Sequence, residues 1–250
     1  MPRLKLILAY DGTNFNGWQI QAGSTQRTVQ GSLEKALSKI CNQHIRAHGS
    51  GRTDTGVHAL GQVVHADIPD NRVDAPWQRA LNALLPADIS VLHASLAPQD
   101  FHVRFDALSK TYTYSLWPEN RYDIPQRRNF VWATGALDLE AMDRAARLMV
   151  GQYDCKCFQN TGTPVDNTVR TVTLVAREPG QFPGEVCYRF EADGFLKQMV
   201  RNMVGLLVWI GRGRFSPEDV PTIIAGQDRT VAFPTAPPQG LTLVAVHYPA

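Results

Sequence analysis

Cysteine is scarce in this chain: its 250 residues hold four, Cys41, Cys155, Cys157 and Cys187. Cys155 and Cys157 flank a single residue, where a zinc knuckle or a thioredoxin-type pair has two, so neither a metal site nor a redox motif is indicated. Reduced thiols that fill core space are expected. Long apolar runs are missing as well. The densest, Met203 to Ile210, is far too short for a membrane span and is bounded by Arg201 and Arg212. Met1 to Tyr10 alternates instead of forming the continuous apolar block of a signal peptide. A soluble, cytoplasmic protein with no membrane partner is therefore expected. Nor does one sign of charge dominate, since 25 Lys and Arg stand against 23 Asp and Glu. A net charge of +2 neither requires nor excludes nucleic acid. The distribution is more telling: from Met1 to Arg52 seven Lys or Arg face only Asp11 and Glu34. That asymmetry fits a phosphate-facing surface and fits a solvated basic face equally well.

What is present is enough apolar residue, 44%, to build a large core in one domain or two. The stretch with the most chemistry is Gly51-Arg52-Thr53-Asp54-Thr55-Gly56-Val57-His58. It sets a lone carboxylate, Asp54, two residues after a guanidinium and between glycines that permit close backbone approach. An acid beside a fixed positive charge stays ionised, which suits a nucleophile or an ion-pair anchor better than a proton donor. Read in isolation, the octapeptide fits an ordinary loop with an Asx-turn. Its Asp-Thr-Gly also invites an aspartic-protease reading. That chemistry needs two carboxylates sharing one proton, and the triplet occurs once.

Along the chain, Leu4, Leu6, Leu8 and Tyr10 alternate in a strand that ends at Asp11-Gly12. A polar loop with Phe15 and Trp18 leads to a helix capped by Thr28, with Val29, Leu33, Leu37 and Ile40 at helical spacing to about Cys41. Gln62 to Ile68 reads as a strand. Asp74 is expected to cap a helix carrying Trp77, Ala80, Leu81, Leu84 and Leu85 up to Pro86, before a strand over Ile89 to Leu96. The polar and aromatic Asp100 to Asp106 is a connector or a loop near a ligand. Lys110 to Leu116 alternates, placing Tyr112 and Tyr114 on one face of a strand. Trp117 to Arg128, with Arg121, Arg127 and Arg128, reads as an arm. Asp138 caps a helix closed by Gly151, and Val169 to Ala176 with Glu185 to Ala192 form a hairpin. The longest helix is expected over Phe195 to Ile210, with Met199, Met203, Leu206, Leu207 and Ile210 inward. On it Lys197 and Arg201 share a face at i, i+4, a repulsion that points to an anion nearby. Ser216-Pro217-Glu218 starts a further helix. After a loop over Arg229 to Gly240, Leu241 to Val246 is the last strand. The class is α+β, with no sequence repeat and a hinge near residues 101 to 109, giving halves of 1–105 and 106–250.

Several separated segments together resemble one family. They are Tyr10-Asp11-Gly12-Thr13 with Gly17-Trp18-Gln19, Thr28-Val29-Gln30 with Leu33-Glu34, and Gly51-Arg52-Thr53-Asp54 with Gly56-Val57-His58-Ala59. Phe101-His102 with Arg104-Phe105, Lys110-Thr111-Tyr112, Met199-Val200-Arg201-Asn202 with Gly205, and Gly240-Leu241 continue the series in order. The set closely resembles the tRNA pseudouridine synthase A family over nearly the whole chain.

The resemblance implies two similar α+β halves sharing a central mixed or antiparallel sheet flanked by helices, with the active cleft between them. It implies a homodimer that isomerises uridine to pseudouridine at positions 38 to 40 of the tRNA anticodon stem-loop, with no metal or organic cofactor. Position by position, it makes Asp54 the catalytic carboxylate and Arg52 the residue tied to substrate RNA and to extrusion of the target nucleotide. Arg201 becomes the partner of the catalytic acid, Tyr112 the ring that stacks on the target base, and Leu241 a pocket wall. Thr55 stands where the family usually has Ala, and Asp154-Cys155-Lys156-Cys157-Phe158 also departs from its pattern. The alternative from another class is a noncatalytic RNA-binding module that uses Tyr112 and Tyr114 only as stacking surface. Asp54, Arg52 and Arg201 occurring together favour the enzyme, because a binder has little use for a carboxylate in a phosphate-binding site.

Overall fold

The computed structural model describes residues 1–119, 122–160, 167–228 and 233–249. Arg121 of the arm and the start of the loop from Arg229 lie outside the described residues. The chain divides into two compact units, Met1–Leu108 with the chain from Thr242 onward, and Ser109–Leu241. From Thr242 the last strand belongs to the first unit.

The first unit contains β1 (Arg3–Tyr10), α1 (Val29–Cys41), β2 (Ala47–Gly49), β3 (His58–Asp67), α2 (Trp77–Asn82) and β4 (Ile89–Ala97). Strict alternation in β1 buries Leu4, Leu6, Leu8 and Tyr10, and both its edges pair antiparallel, with β3 and with β4. Thr28 caps α1 by accepting from the Gly31 N–H. The buried Gln30 and Glu34 of α1 then hold β2: Glu34 Oε1 accepts from Ala47 N at 3.0 Å, and Gln30 Nε2 donates to the Ala47 carbonyl at 3.1 Å.

Two expectations need correction here, and one strand was not expected. The strand after the Asp54 stretch begins at His58, not Gln62. Its start is masked in the sequence by Leu60, which is exposed on an otherwise buried run. The helix expected from Asp74 to Pro86 is only six residues long. Pro76 occupies its N-cap with no side-chain cap bond, and Leu84 and Leu85 fall beyond its end. β2 carries too few residues to show a period, and its support comes from α1.

The second unit contains β5 (Ser109–Trp117), β6 (Trp132–Ala133), α3 (Leu139–Leu148), β7 (Gly151–Asp154), β8 (Val169–Pro179), β9 (Val186–Ala192), α4 (Met199–Gly211) and α5 (Val220–Gly226). β5, β9, β8 and β7 lie side by side in antiparallel pairs, and β6 pairs with the end of β5 in parallel. Asp138 caps α3 as expected, while Gly151 opens β7 rather than closing the helix. Cys155 and Cys157 are fully buried in a short 3-10 turn, with no disulfide to either among the described residues. The Arg127 guanidinium makes a two-bond pair with the buried Glu185 at 3.0 and 2.8 Å, and its face lies between the rings of Phe130 and Phe182. This fastens the arm to the β8–β9 hairpin.

α4 starts at Met199, four residues later than expected, because Gln198 takes a left-handed conformation with φ 61°. Lys197 is therefore outside the helix and shares no face with Arg201, so the repulsion argument for a nearby anion falls. Burial runs almost all round α4, as its apolar composition requires.

The final strand, β10 (Leu241–His247), pairs in parallel with β3 through Thr242 and Leu243. The chain is thus α+β with mixed strand pairing. With the short β6 and β7 and the helix α5 set aside, strand, helix, two strands, helix, strand recurs along it, as β1–α1–β2–β3–α2–β4 and as β5–α3–β8–β9–α4–β10.

One buried group makes the first unit acid-sensitive. His65 on β3 is almost fully buried and accepts from the Val103 N–H at Nδ1. Burial, reinforced by Arg3, His48 and His102, pushes its pKa down to about 4 from an ordinary 6.5. Between these values the unfolded chain binds the extra proton, so stability is full above pH 6.5 and falls as pH drops toward 4. In urea unfolding, this group should account for a loss of roughly 2 kcal/mol between pH 7 and pH 5. His65→Gln should remove that part of the pH dependence; an unchanged slope contradicts the assignment.

Candidate active site

Asp54 sits half-buried in the loop between β2 and β3, above a closed polar network. The Tyr10 hydroxyl at the end of β1 shares a hydrogen bond with Thr53 Oγ1 at 2.9 Å. Burial pushes this phenol up to about 12, so it stays protonated. Gln62 on β3 accepts from Ser50 Oγ at 2.7 Å and donates to the Gly51 carbonyl at 2.8 Å. Tyr10, Ser50, Thr53 and Gln62 are all buried, and a satisfied buried network of this kind fixes one loop conformation. Asp54 itself closes a turn, its carbonyl accepting from Val57 N at 3.1 Å.

A second loop, residues 11 to 18, clamps the first from the side. Trp18 N donates to the Thr53 carbonyl at 3.0 Å, and Gly12 N donates to His58 Nδ1 at 3.0 Å. Gly17 has φ +75°, and a Cβ there would lie 2.6 Å from the Thr53 carbonyl oxygen and 3.2 Å from Asp54 C. At Gly12 a Cβ would meet the Val57 carbonyl oxygen at 2.0 Å. Only bare backbone fits at either point. Arg52 projects from the same loop, exposed, and forms no hydrogen bond or ion pair among the described residues. The loop thus brings Arg52 and Asp54 onto one rigid support, with the guanidinium left to solvent.

The other three expected residues belong to the second unit. Tyr112 lies on β5, opposite Phe190 of β9, with its ring edge-on to Phe195 at 5.2 Å. It is 8% exposed, whereas its neighbour on the same face, Tyr114, is wholly buried. The Tyr114 hydroxyl donates to the Pro237 carbonyl at 2.7 Å, which makes it a structural tie rather than a stacking surface. Arg201, on the first turn of α4, donates from Nε to the Ala236 carbonyl at 2.7 Å, and its own carbonyl accepts from Ala236 N at 3.0 Å. Beside it, Asn202 Nδ2 donates to the Phe158 carbonyl and Asn202 Oδ1 accepts from Thr235, both at 2.7 Å. Leu241 is buried at the start of β10, just after that segment.

The sequence profile of a family described as tRNA pseudouridine synthase matches residues 6–106 and 145–249. Among relatives named tRNA pseudouridine synthase A, one from Oleidesulfovibrio alaskensis is 53% identical, with 100% of this chain and 97% of the relative covered. Another, from Solidesulfovibrio magneticus, is 54% identical over 100% of this chain and 92% of its own length. A third, from Geobacillus kaustophilus, is 43% identical over 98% and 94% respectively. The chain belongs to the tRNA pseudouridine synthase family.

Several residues of the family's motifs had no role assigned from sequence. Tyr10, Gly12, Gly17, Trp18 and His58 prove to be the clamp on the Asp54 loop, and Gln62, which no motif included, carries the network below it. The alternation of β1 did signal Tyr10, since it ends a run of inward residues with the one side chain able to donate. Thr55, the departure beside Asp54, donates from Oγ1 to Asn16 Oδ1 at 2.9 Å and so adds one more tie between the two loops.

Gly205 of the Arg201 motif also lacks room for a side chain: a Cβ would lie 1.8 Å from the Pro234 carbonyl oxygen. Gly205→Ala must push the 233–237 segment off α4, and with it the carbonyl that holds Arg201. A destabilisation of about 1–3 kcal/mol is expected, read as a lowered Tm. An unaltered Tm contradicts this packing.

Proposed function

We propose that this protein converts uridine to pseudouridine at positions 38 to 40 of the tRNA anticodon stem-loop, with Asp54 as its catalytic carboxylate. The family's reaction is an isomerisation. The N1–C1′ bond breaks, the detached uracil turns, and a C5–C1′ bond forms; the C5 hydrogen leaves as a proton and N1 gains one. Atoms and electrons balance without an oxidant, and no cofactor is invoked.

The observation that most supports the reading is the fixed Asp54 loop: a single half-buried carboxylate on a support that the Gly12–Trp18 loop and the Tyr10–Thr53–Gln62 network keep from moving. Positioning of this kind lets a group act at a defined atom, whether Asp54 adds to C1′, adds to the ring or takes a sugar proton. Arg201 is the proposed cationic partner of Asp54, and Tyr112 the ring that restrains the uracil while it turns. Leu241 is the proposed pocket wall. Arg52 is assigned to the RNA backbone and to filling the space left by the extruded nucleotide, a step that costs a few kcal/mol. Its exposure suits that role. Assembly as a homodimer and action in the cytoplasm complete the proposal; among the described residues no helix is long and apolar enough to cross a membrane.

Transfer RNA tritiated at uracil C5 tests it. Wild-type protein should release tritium to water, and Asp54→Ala should release none while binding tRNA within about tenfold of wild type, roughly 1.4 kcal/mol. Release by the Asp54→Ala protein contradicts the catalytic assignment. Binding without release by the wild type favours the noncatalytic module.

A further inference from the structure

A column of rings crosses the first unit apart from the residues assigned to the reaction. His48 on β2 pairs across strands with His65 on β3, and their rings stack at 4.9 Å with an angle of 17°. The ring of His102 meets His65 edge-on at 4.9 Å and stacks on Phe105 at 4.2 Å and 29°. Phe105 ends the column with 76% of its surface exposed.

The tip is rigid. His102 Nδ1 accepts from the N–H groups of Arg104 and Phe105 at 3.1 and 3.3 Å. Its own N–H donates to Asp106 Oδ2 at 2.8 Å, and its carbonyl accepts from Asp106 N at 3.0 Å. Between them the buried Val103 is held at both ends, by His65 Nδ1 and by the Tyr248 hydroxyl. A lone exposed phenylalanine is ordinary on a protein surface. One stacked on its inner face and presented by a turn whose backbone N–H groups from residue 102 to 106 are all bonded is built to offer its outer face.

The charges around the column give the chemistry of what it meets. The carboxylate of Asp106 is engaged by His102, and that of Asp67 by Arg3 at 2.8 and 3.0 Å. Arg104, beside the Phe105 ring, and Arg46, whose charge acts on His48, are both exposed and form no ion pair among the described residues. Burial and nearby cations keep the rings of His65 and His48 uncharged at neutral pH. An aromatic face with exposed guanidinium groups beside it is the composition that takes a nucleobase and its phosphate.

We propose that Phe105 and Arg104 form an accessory base-stacking site, in which one unpaired nucleobase of the bound RNA extends the column and its phosphate meets Arg104. The proposal rests on the tRNA-acting reading above. Its role is affinity, with no part in bond making, so it bears on KM and leaves kcat alone.

Steady-state tritium release from C5-labelled tRNA by wild type, Phe105→Ala, Phe105→Leu and Phe105→Trp, alongside sedimentation of each, decides it. The expected result is a KM raised about tenfold in the Ala and Leu proteins with kcat unchanged, recovery in the Trp protein, and one oligomeric state throughout. Arg104→Gln should lower the slope of log affinity against log salt by about 1. Equal KM in wild type and Phe105→Ala overturns the proposal, as does full recovery by Leu, which keeps apolar bulk without a ring face. A changed oligomeric state in Phe105→Ala overturns it in favour of a second copy of the chain covering the ring. Absence of tritium release from wild type instead fails the underlying reading, and this proposal with it.

Discussion

The close approach of two loop backbones is the constraint on which the rest of the first unit's chemistry depends. Gly12 and Gly17 let the 11–18 segment lie directly against the carbonyls of Val57 and Thr53, at distances where no Cβ fits. Everything that positions Asp54 follows from that contact. The Trp18 N–H reaches the Thr53 carbonyl, the Gly12 N–H reaches His58, and the Tyr10 hydroxyl meets Thr53 from below. These bonds belong to buried groups, where an unmade bond costs about 1–3 kcal/mol, so the loop has few alternative conformations. In the second unit the same device recurs at Gly205, which lets the 233–237 segment approach α4 closely enough for the Ala236 carbonyl to hold Arg201. Each unit thus fixes its candidate residue by a backbone contact on a glycine, followed by hydrogen bonds that only that contact permits.

Much of this was legible in the sequence wherever a period or a cap stood alone. β1, β5 and the β8–β9 hairpin announce themselves by alternation, and α1 by Thr28 followed by apolar residues at helical spacing. The failures arose where a local turn or a tertiary contact overrode the apolar pattern. α2 ends at Asn82 although Leu84 and Leu85 continue its apolar spacing. α4 waits for Met199 because Gln198 turns left-handed, and the inference drawn from Lys197 fails with it. β2 exists because Gln30 and Glu34 of α1 reach across to Ala47, a relation no window around residue 47 contains.

For the candidate site the division is similar. Asp54, Arg52, Tyr112, Arg201 and Leu241 were named by family resemblance alone, and membership of that family holds over the length of the chain. The supporting residues were visible as motif letters without a function. Gln62, buried between Ser50 and Gly51, was not signalled at all, because a polar residue inside a strand reads as outward-facing until its partners are known. The alternation that grouped Tyr112 with Tyr114 was right about the face and silent about partners, since only Tyr114 is tied through its hydroxyl to the Pro237 carbonyl.

The dependence of Asp54 on backbone contact is open to one direct comparison. Gly17 and Gly23 both have φ of +75°, but a Cβ at Gly23 would meet nothing within 4 Å. Alanine at either position carries the same conformational strain, and only at position 17 does it displace the Asp54 loop. Single-turnover isomerisation of saturating tRNA by Gly17→Ala should be slower by roughly a hundredfold, the scale of a 1 Å misplacement, with Gly23→Ala near wild type. Equal rates in the two variants would contradict the account.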